Sequence, residues 1–443
     1  MIILWTDGLI YILITVITLL FFALRGKEHF VRPWKKISQS RTAMVSLVFL
    51  VFFLSIGLLD SIHFRSNDRQ NHDIISVLDY WANPIRLHHE KSYSAPFAAY
   101  LYSKELIMQA DQAPYWGYPR LEYGGSHLSN VSEDKAGDII AKAWLGFIKG
   151  AGVIIILCYA YHWLLGRAFF SNKTVNTVFT TLFFLGSSSY MLVELSSYYH
   201  VLGTDKVGED VFYQTIKSIR TGLVIGSLTT LIMLPLAIIF GILAGFFRGW
   251  VDDVIQYIYT TLNSIPGVLL IAASILMVQV YMANHQQQFT SLVARADMRL
   301  LFLCLILGVT SWTGLCRMLR AETLKLREME YVQAAQALGV PRGVILYRHI
   351  LPNVMHIVLI SVVLDFSSLV LAEAVLSYVN IGVDPTTYSW GNMINGARLE
   401  MAREPVVWWS LAASFLFMFT LVLAANLFAD SVRDAFDPRR VQS

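Results

Sequence analysis

The sequence predicts an all-α polytopic membrane protein, on three observations. Of 443 residues, 56% are hydrophobic and 15% charged, where a soluble domain carries about 25% charged residues. Mean hydropathy is +0.54. About nine stretches approach the roughly 20 apolar residues that a helix needs to cross a bilayer.

In chain order the expected spans are Trp5–Leu24, Thr42–Leu59, Ala143–Leu165, Val178–Leu195, Thr221–Phe246, Ile255–Val280, Leu300–Leu315, Val354–Tyr378 and Val406–Phe428. Lys149 falls inside the third and can snorkel. The N-terminal "MIILWTDGLI" has no basic n-region and no small-residue cleavage site, so a removable signal peptide is not expected. Cys158, Cys304 and Cys316 lie in or beside apolar runs without metal-ligand spacing and are expected to pack as small apolar groups. The net charge of +3 gives no nucleic-acid signal.

Orientation follows from basic residues in short loops, which stay cytoplasmic. "RGKEHFVRPWKKISQSR" (Arg25–Arg41), the loop Arg317–Asn353 and the tail "RDAFDPRR" fall on one side when nine spans are counted. That places the N-terminus outside, the C-terminus in the cytoplasm and Asp60–Lys142 outside. This external segment is rich in Tyr, Trp, Pro and His. Its His88–His89 pair has no accompanying helical ligand spacing and is expected to be a solvated loop rather than a metal site.

One polar stretch stands between two apolar ones: "YVQAAQALGVPRGVILYRHILPN", Tyr331–Asn353. Tyr331–Leu338 forms a helix well, Gly339 suits a C′ position and Pro341 can open the next helix. Ala335 and Gly339 lie one turn apart and Ala334 lies above Leu338, so a small-residue face can admit another backbone closely. Composition alone weighs this evenly against an ordinary loop helix lying on the membrane.

Its flanks add Trp312, Arg317 and Arg320 before the helix and Arg348, His349, Leu351, Pro352 and Asn353 after it. The stretch resembles the cytoplasmic coupling segment of ABC-importer permeases, specifically the C-type subunit of the dipeptide/oligopeptide permease family. "GTDKVGEDVF", "VDDVIQYIYTTLNSIPGVLL", "LAEAVLSYVNIGVDPTTYSWGNMI" and "VRDAFDP" resemble further family segments in the same order, over Gly203–Arg439. Three positions depart from the pattern. Glu209 stands where the family usually has Arg, and Tyr213–Gln214 replaces Ser–Arg. Gln333 stands where more distant importers have the Glu of their loop.

The resemblance implies a type I permease core of about five helices over 203–443, with coupling segment 317–353. An extension, 1–202, precedes it with about four spans and the external segment 60–142. ATPase contact is implied for Tyr331, Gln333, Ala334, Ala335, Leu338, Gly339, Arg342 and Arg348. The implied partners are a second homologous permease, two ATPase subunits, an external solute-binding protein and a peptide substrate, all at a bacterial inner membrane. The chain has no G-x-x-x-x-G-K-[ST] loop, so ATP and Mg are expected on the partner ATPases.

Polar groups inside the apolar runs mark a translocation path or its structural support. Asp365 and Glu373 are intramembrane carboxylates, which usually face a cavity or a partner. Either they form a path or proton relay, or Asp365 meets polar groups of the partner and Glu373 lies near the external interface. Asn263 and Pro266 interrupt a helix, either as a kink or as pore lining. Gly222 with Gly226, and Gly241 with Gly245, point to tight helix packing. Two rival classes stand against the importer. A proton-coupled secondary transporter would use Asp365 and Glu373 but leaves the coupling stretch unexplained. An intramembrane enzyme lacks HExxH, and "GSSSY" has no evident base partner.

Overall fold

The computed structural model describes residues 3–24, 28–65, 74–108, 114–165, 173–285 and 291–436. The basic residues Arg25 and Lys27 and the tail from Asp437 onward fall outside them. In chain order the elements begin with α1 (Trp5–Leu24), α2 (Glu28–Ile37), α3 (Arg41–Ser61), β1 (His63–Arg65), β2 (Ile74–Ser76), α4 (Val77–Trp81) and α5 (Asn83–Arg86). β3 (Glu105–Ile107) and β4 (Tyr115–Gly117) precede α6 (Val131–Leu165) and α7 (Lys173–Ser196). Then come α8 (Val211–Phe247), α9 (Trp250–Ser264), α10 (Gly267–Asn284), α11 (Leu292–Ser311) and α12 (Thr313–Arg327). α13 (Glu330–Ala337) and α14 (Arg342–Ile345) lead through a π-helical turn, Leu346–Ile350, into α15 (Leu351–Tyr378), followed by α16 (Trp390–Glu400) and α17 (Trp409–Phe436). Among the described residues the strands form two antiparallel hairpins, β1–β2 and β3–β4.

Among the described residues, seven helices are long and apolar enough to cross a membrane. They carry the expected spans of α3, α6, α7, α8, α10, α15 and α17. The other two expected spans lie in α1 and α11, each 20 residues long. α11 holds Arg295, Asp297 and Arg299 in its first turns, which breaks up its apolar run. Two expected spans are also divided. Ile255–Val280 is split between α9 and α10 at Ile265–Pro266, because proline has no N–H to give the ladder. Leu300–Leu315 bends at Trp312, where α11 passes into α12.

The chain forms two compact units. One comprises Ser38–Thr221 and Tyr388–Ala424; the other comprises Ile3–Ile37, Gly222–Thr387 and the chain from Ala425.

In the first unit, the "GTDKVGED" turn is built into the external segment. Glu90 N donates to Gly208 O (3.0 Å), Thr204 N to Ser94 O (3.1 Å) and Ser94 N to Thr204 Oγ1 (2.7 Å). Gly208 has φ +80°, and a Cβ there would lie 1.8 Å from Glu90 O. Only glycine fits. Asp210 caps α8 by accepting from Phe212 N (2.8 Å) and Tyr213 N (3.2 Å). Ile85, Phe212 and Tyr213 form a small apolar core against Leu192, Leu202, Tyr388 and Phe417.

The second unit has its core where α8, α9, α12, α13 and α15 meet, around Met233, Phe246, Ile255, Leu315, Leu319, Val332, Ile345 and Val354. The glycine spacing of α8 has the expected use. A Cβ on Gly241 would lie 2.8 Å from Cys316 O, and one on Gly245 2.6 Å from Thr323 Cβ. The α12 backbone therefore approaches α8 as closely as small residues permit. Gly226 likewise admits the ring of Phe366.

Candidate functional site

The polar stretch Tyr331–Asn353 holds two short helices, α13 and α14, packed on the core of the second unit. α13 starts after Met329 and ends at Leu338, where Gly339 takes φ +75°. Gly339 N donates to Gln336 O (3.0 Å) and Val340 N to Ala335 O (3.1 Å), which satisfies the last carbonyls and turns the chain toward Pro341. Val332, Ala335, Ile345 and Ile350 are buried in the core of this unit. Burial on this scale fixes the segment to the helices that it joins.

Four polar links strengthen that packing. Arg320 makes a two-pronged pair with Asp252 (Nε–Oδ1 2.6 Å, Nη2–Oδ2 2.7 Å), tying α12 to α9. These bonds hold the Asp252 carboxyl below the ordinary aspartate range, outweighing its burial. Arg327 Nη1 donates to Phe246 O (2.8 Å), and the Arg342 guanidinium lies 5.8 Å from the Phe247 ring centre. Tyr331 OH accepts from Asn353 Nδ2 (3.2 Å), joining α13 to the start of α15.

The outward face carries most of the residues read from the sequence. Tyr331, Gln333, Ala334, Leu338, Gly339, Arg342 and Arg348 are exposed, and Leu338 is 83% exposed. Ala335 is the exception. It packs inward, one position around the helix from the exposed face, so it supports the segment rather than presenting it. A Cβ on Gly339 would meet nothing within 4 Å.

The polar groups of the spans separate into different environments. Thr313 Oγ1 donates to Asn263 Oδ1 (3.0 Å), joining the α9/α10 break to the bend before α12. Asn263 thus has a structural bond, while its residue and Pro266 remain exposed. Glu373 is buried and accepts from Ser377 Oγ (2.7 Å). Asp365 lies midway along α15 and is half-buried. The exposed run Asn263–Leu269 contains the irregular backbone that a membrane protein tolerates only against protein or water.

Sequence reasoning missed two buried ionic clusters in the first unit. Lys217 Nζ lies 2.6 Å from Asp79 Oδ1 and 3.4 Å from Asp60 Oδ1, and Tyr213 OH donates to Asp79 Oδ1 (2.6 Å). Two departures from the family pattern thus have structural uses: Tyr213 engages the external segment, and Gln214 Nε2 donates to Asp205 Oδ2 (2.9 Å) and Glu209 Oε2 (3.0 Å). An aspartate at the end of an apolar run and a lysine one turn after Tyr213 were the only signals. His88 stacks on Tyr123 with ring centres 4.5 Å apart, and no group of three metal-binding side chains occurs among the described residues.

The second cluster centres on His200. Its Nδ1 lies 2.7 Å from Asp210 Oδ2, and its Nε2 lies 3.4 Å from Glu90 Oε1 without hydrogen-bond alignment. Burial disfavours the imidazolium, but the two carboxylates outweigh it and push His200 up to about 9 from 6.5. A raised value contributes stability fully below about pH 6.5 and loses it as pH rises through about 9. Trypsin nicking of the external segment is therefore expected to accelerate between those limits, and His200→Gln to remove most of that dependence. Equal nicking of the native protein at pH 6 and 9.5 would contradict the assignment.

Taken together, the membrane-length helices define a polytopic membrane protein, with the α13–α14 segment seated on the core of the second unit. Residues 237–442 match the family described as binding-protein-dependent transport system inner membrane component. A putative peptide permease of Brucella suis biovar 1 is 32% identical over 246 residues, 55% of this chain and 74% of that one. The chain belongs to this transport family, which is not an enzyme family. The dipeptide transport system permease protein DppC of Lactococcus lactis subsp. cremoris is 31% identical over 240 residues, covering 54% of this chain and 64% of that protein. The oligopeptide transport system permease protein OppC of Mycobacterium bovis is 28% identical over 291 residues, covering 62% and 94%.

Proposed function

We propose that this chain is one permease subunit of an ATP-driven importer for peptides or peptide-like compounds. It pairs with a second permease to enclose the path and receives substrate from an external binding protein. The observation that carries the reading is the α13–α14 segment, whose inner face is built into the core while Leu338, Gly339 and Arg342 face outward. Two ATPase subunits, which hold ATP and Mg, engage such segments; closure of their sites moves α12 and α15 with the segment. The relatives' names supply the substrate class. Asn263 and Pro266 are the proposed contributors to the path or its walls. Proton coupling through an Asp365–Glu373 pair is disfavoured, because Glu373 is buried against Ser377 and the family is one of binding-protein-dependent transport components.

The arrangement within the second unit supports an external N-terminus and a cytoplasmic C-terminus. Thr6 N donates to Asp297 Oδ2 (3.2 Å) near the start of α11, where Arg299 meets Asp384 (3.5 Å). The coupling segment lies beyond the other end of α11, about 30 Å along a 20-residue helix. Lys36 Nζ donates to Asp434 O (3.2 Å), so the basic helix α2 and the end of α17 share one end. Single cysteines near His88 are expected to react with an impermeant thiol reagent from outside, and those near Lys35 or Arg342 to remain unlabelled. External labelling near Arg342 would contradict both the orientation and the ATPase reading.

A further inference from the structure

From Leu364 to Tyr378, the exposed side chains of α15 fall in a regular stripe. Leu364, Ser368, Leu371, Val375 and Tyr378 are exposed, at successive spacings of four, three, four and three. This is the repeat that lets a second helix pack along a seam, with Leu364, Leu371 and Tyr378 at d and Ser368 and Val375 at a. Small Ser368 is where two helices can approach most closely. Asp365 then occupies an e position, beside the seam, where charged groups decide which partner helix is accepted.

Lipid alone does not suit this face. α10 shows what a lipid-compatible face looks like: its Leu276, Met277 and Val280 are exposed and wholly apolar. On α15, Asp365 stands at mid-helix. Its carbonyl accepts from Ser368 Oγ (2.8 Å), while its carboxylate has no hydrogen bond or ion pair with any described residue. Hydrocarbon offers a carboxylate no donor, so such a group faces protein or water. Glu373, two turns away, obtains its donor from Ser377 within the same helix. Asp365 must obtain one from elsewhere.

We propose that the Leu364–Tyr378 stripe is the seam for a membrane helix of the second permease subunit, and that Asp365 selects that helix by pairing with a basic or amide side chain on it. The existence of the second subunit rests on the function proposed above; the seam and the role of Asp365 go beyond it. The a/d stripe supplies close packing, and the carboxylate supplies the penalty for a partner without a donor.

Two measurements on the complex purified through tagged ATPase subunits test this. Asp365→Leu is expected to lower recovery of the second permease at least tenfold while this chain still inserts and retains the ATPases. Ser368→Cys and Val375→Cys leave Asp365 in place and guard against a simple folding defect. Carrying a benzophenone maleimide in a Cys158→Ser background, with Cys304 and Cys316 buried, each is expected to cross-link to the second permease. Full recovery of the second permease with Asp365→Leu, or cross-links from both positions to lipid only, would overturn the proposal. An intact Asp365→Leu complex that has lost uptake would also overturn it and assign Asp365 to the substrate path. Failure of the native chain to recover ATPases or a second permease would instead refute the importer reading.

Discussion

Lys217→Met is expected to destabilise the external face of the protein by about 3–5 kcal/mol, since removal of one partner strands buried charge. Its ammonium lies between Asp60 and Asp79, whose side chains are 5% exposed. The Asp79 carboxyl is held below its ordinary value although burial opposes this, chiefly by the charge of Lys217 and then by its hydrogen bond. Methionine fills similar volume, so lost packing contributes little. Two carboxylates would remain, one fixed by Tyr213 OH and the other by Ser76 Oγ (2.6 Å). Thermal unfolding followed by size-exclusion fluorescence should show the loss, and adding Asp60→Asn with Asp79→Asn should recover most of it. A Lys217→Met protein that unfolds at the native temperature would contradict the assignment of this cluster as the tie between α8 and the external segment.

Gly339→Asp is expected to separate ATP hydrolysis from transport. At φ +75° a residue with a Cβ carries strain, on the order of 1–3 kcal/mol. The site is open in this chain, so the added side chain meets nothing within it. On the function proposed above, the larger effect arises at the ATPase surface, where an unpaired carboxylate would be buried. Insertion and pairing with the second permease should persist, because the spans do not depend on this residue. Co-purified ATPase, or uptake per ATP hydrolysed, should fall on the order of tenfold or more, since each 1.4 kcal/mol is a factor of ten. Gly339→Asn, which tolerates the left-handed region and adds no charge, should lose much less.

The sequence made local features legible where one chemical rule sufficed. Gly339 at the end of α13 follows from a helix needing a left-handed terminus, and the divided α9/α10 helix follows from Pro266. The close approach at Gly241 and Gly245 was likewise readable from spacing. What remained hidden depended on contacts distant in sequence. Nothing near Ala335 announces that it faces the core, because the direction of α13 is set by packing on α8 and α12. The Asp79–Lys217 pair joins residues 138 positions apart. Glu90 and His200 come together only because Gly203 and Gly208 fold the turn back onto the external segment. The expected span Leu300–Leu315 left out the charged first turns of α11, because the partners that hold them there, Thr6 for Asp297 and Asp384 for Arg299, are distant in sequence.

The most direct measurement is peptide uptake into proteoliposomes containing this chain, its second permease, the ATPases and the binding protein. Uptake is predicted to require ATP hydrolysis by the ATPase subunits, to cease without the binding protein, and to fall with Gly339→Asp while hydrolysis continues. Uptake by this chain alone under a proton gradient, abolished by Asp365→Asn and indifferent to ATP, would contradict the account.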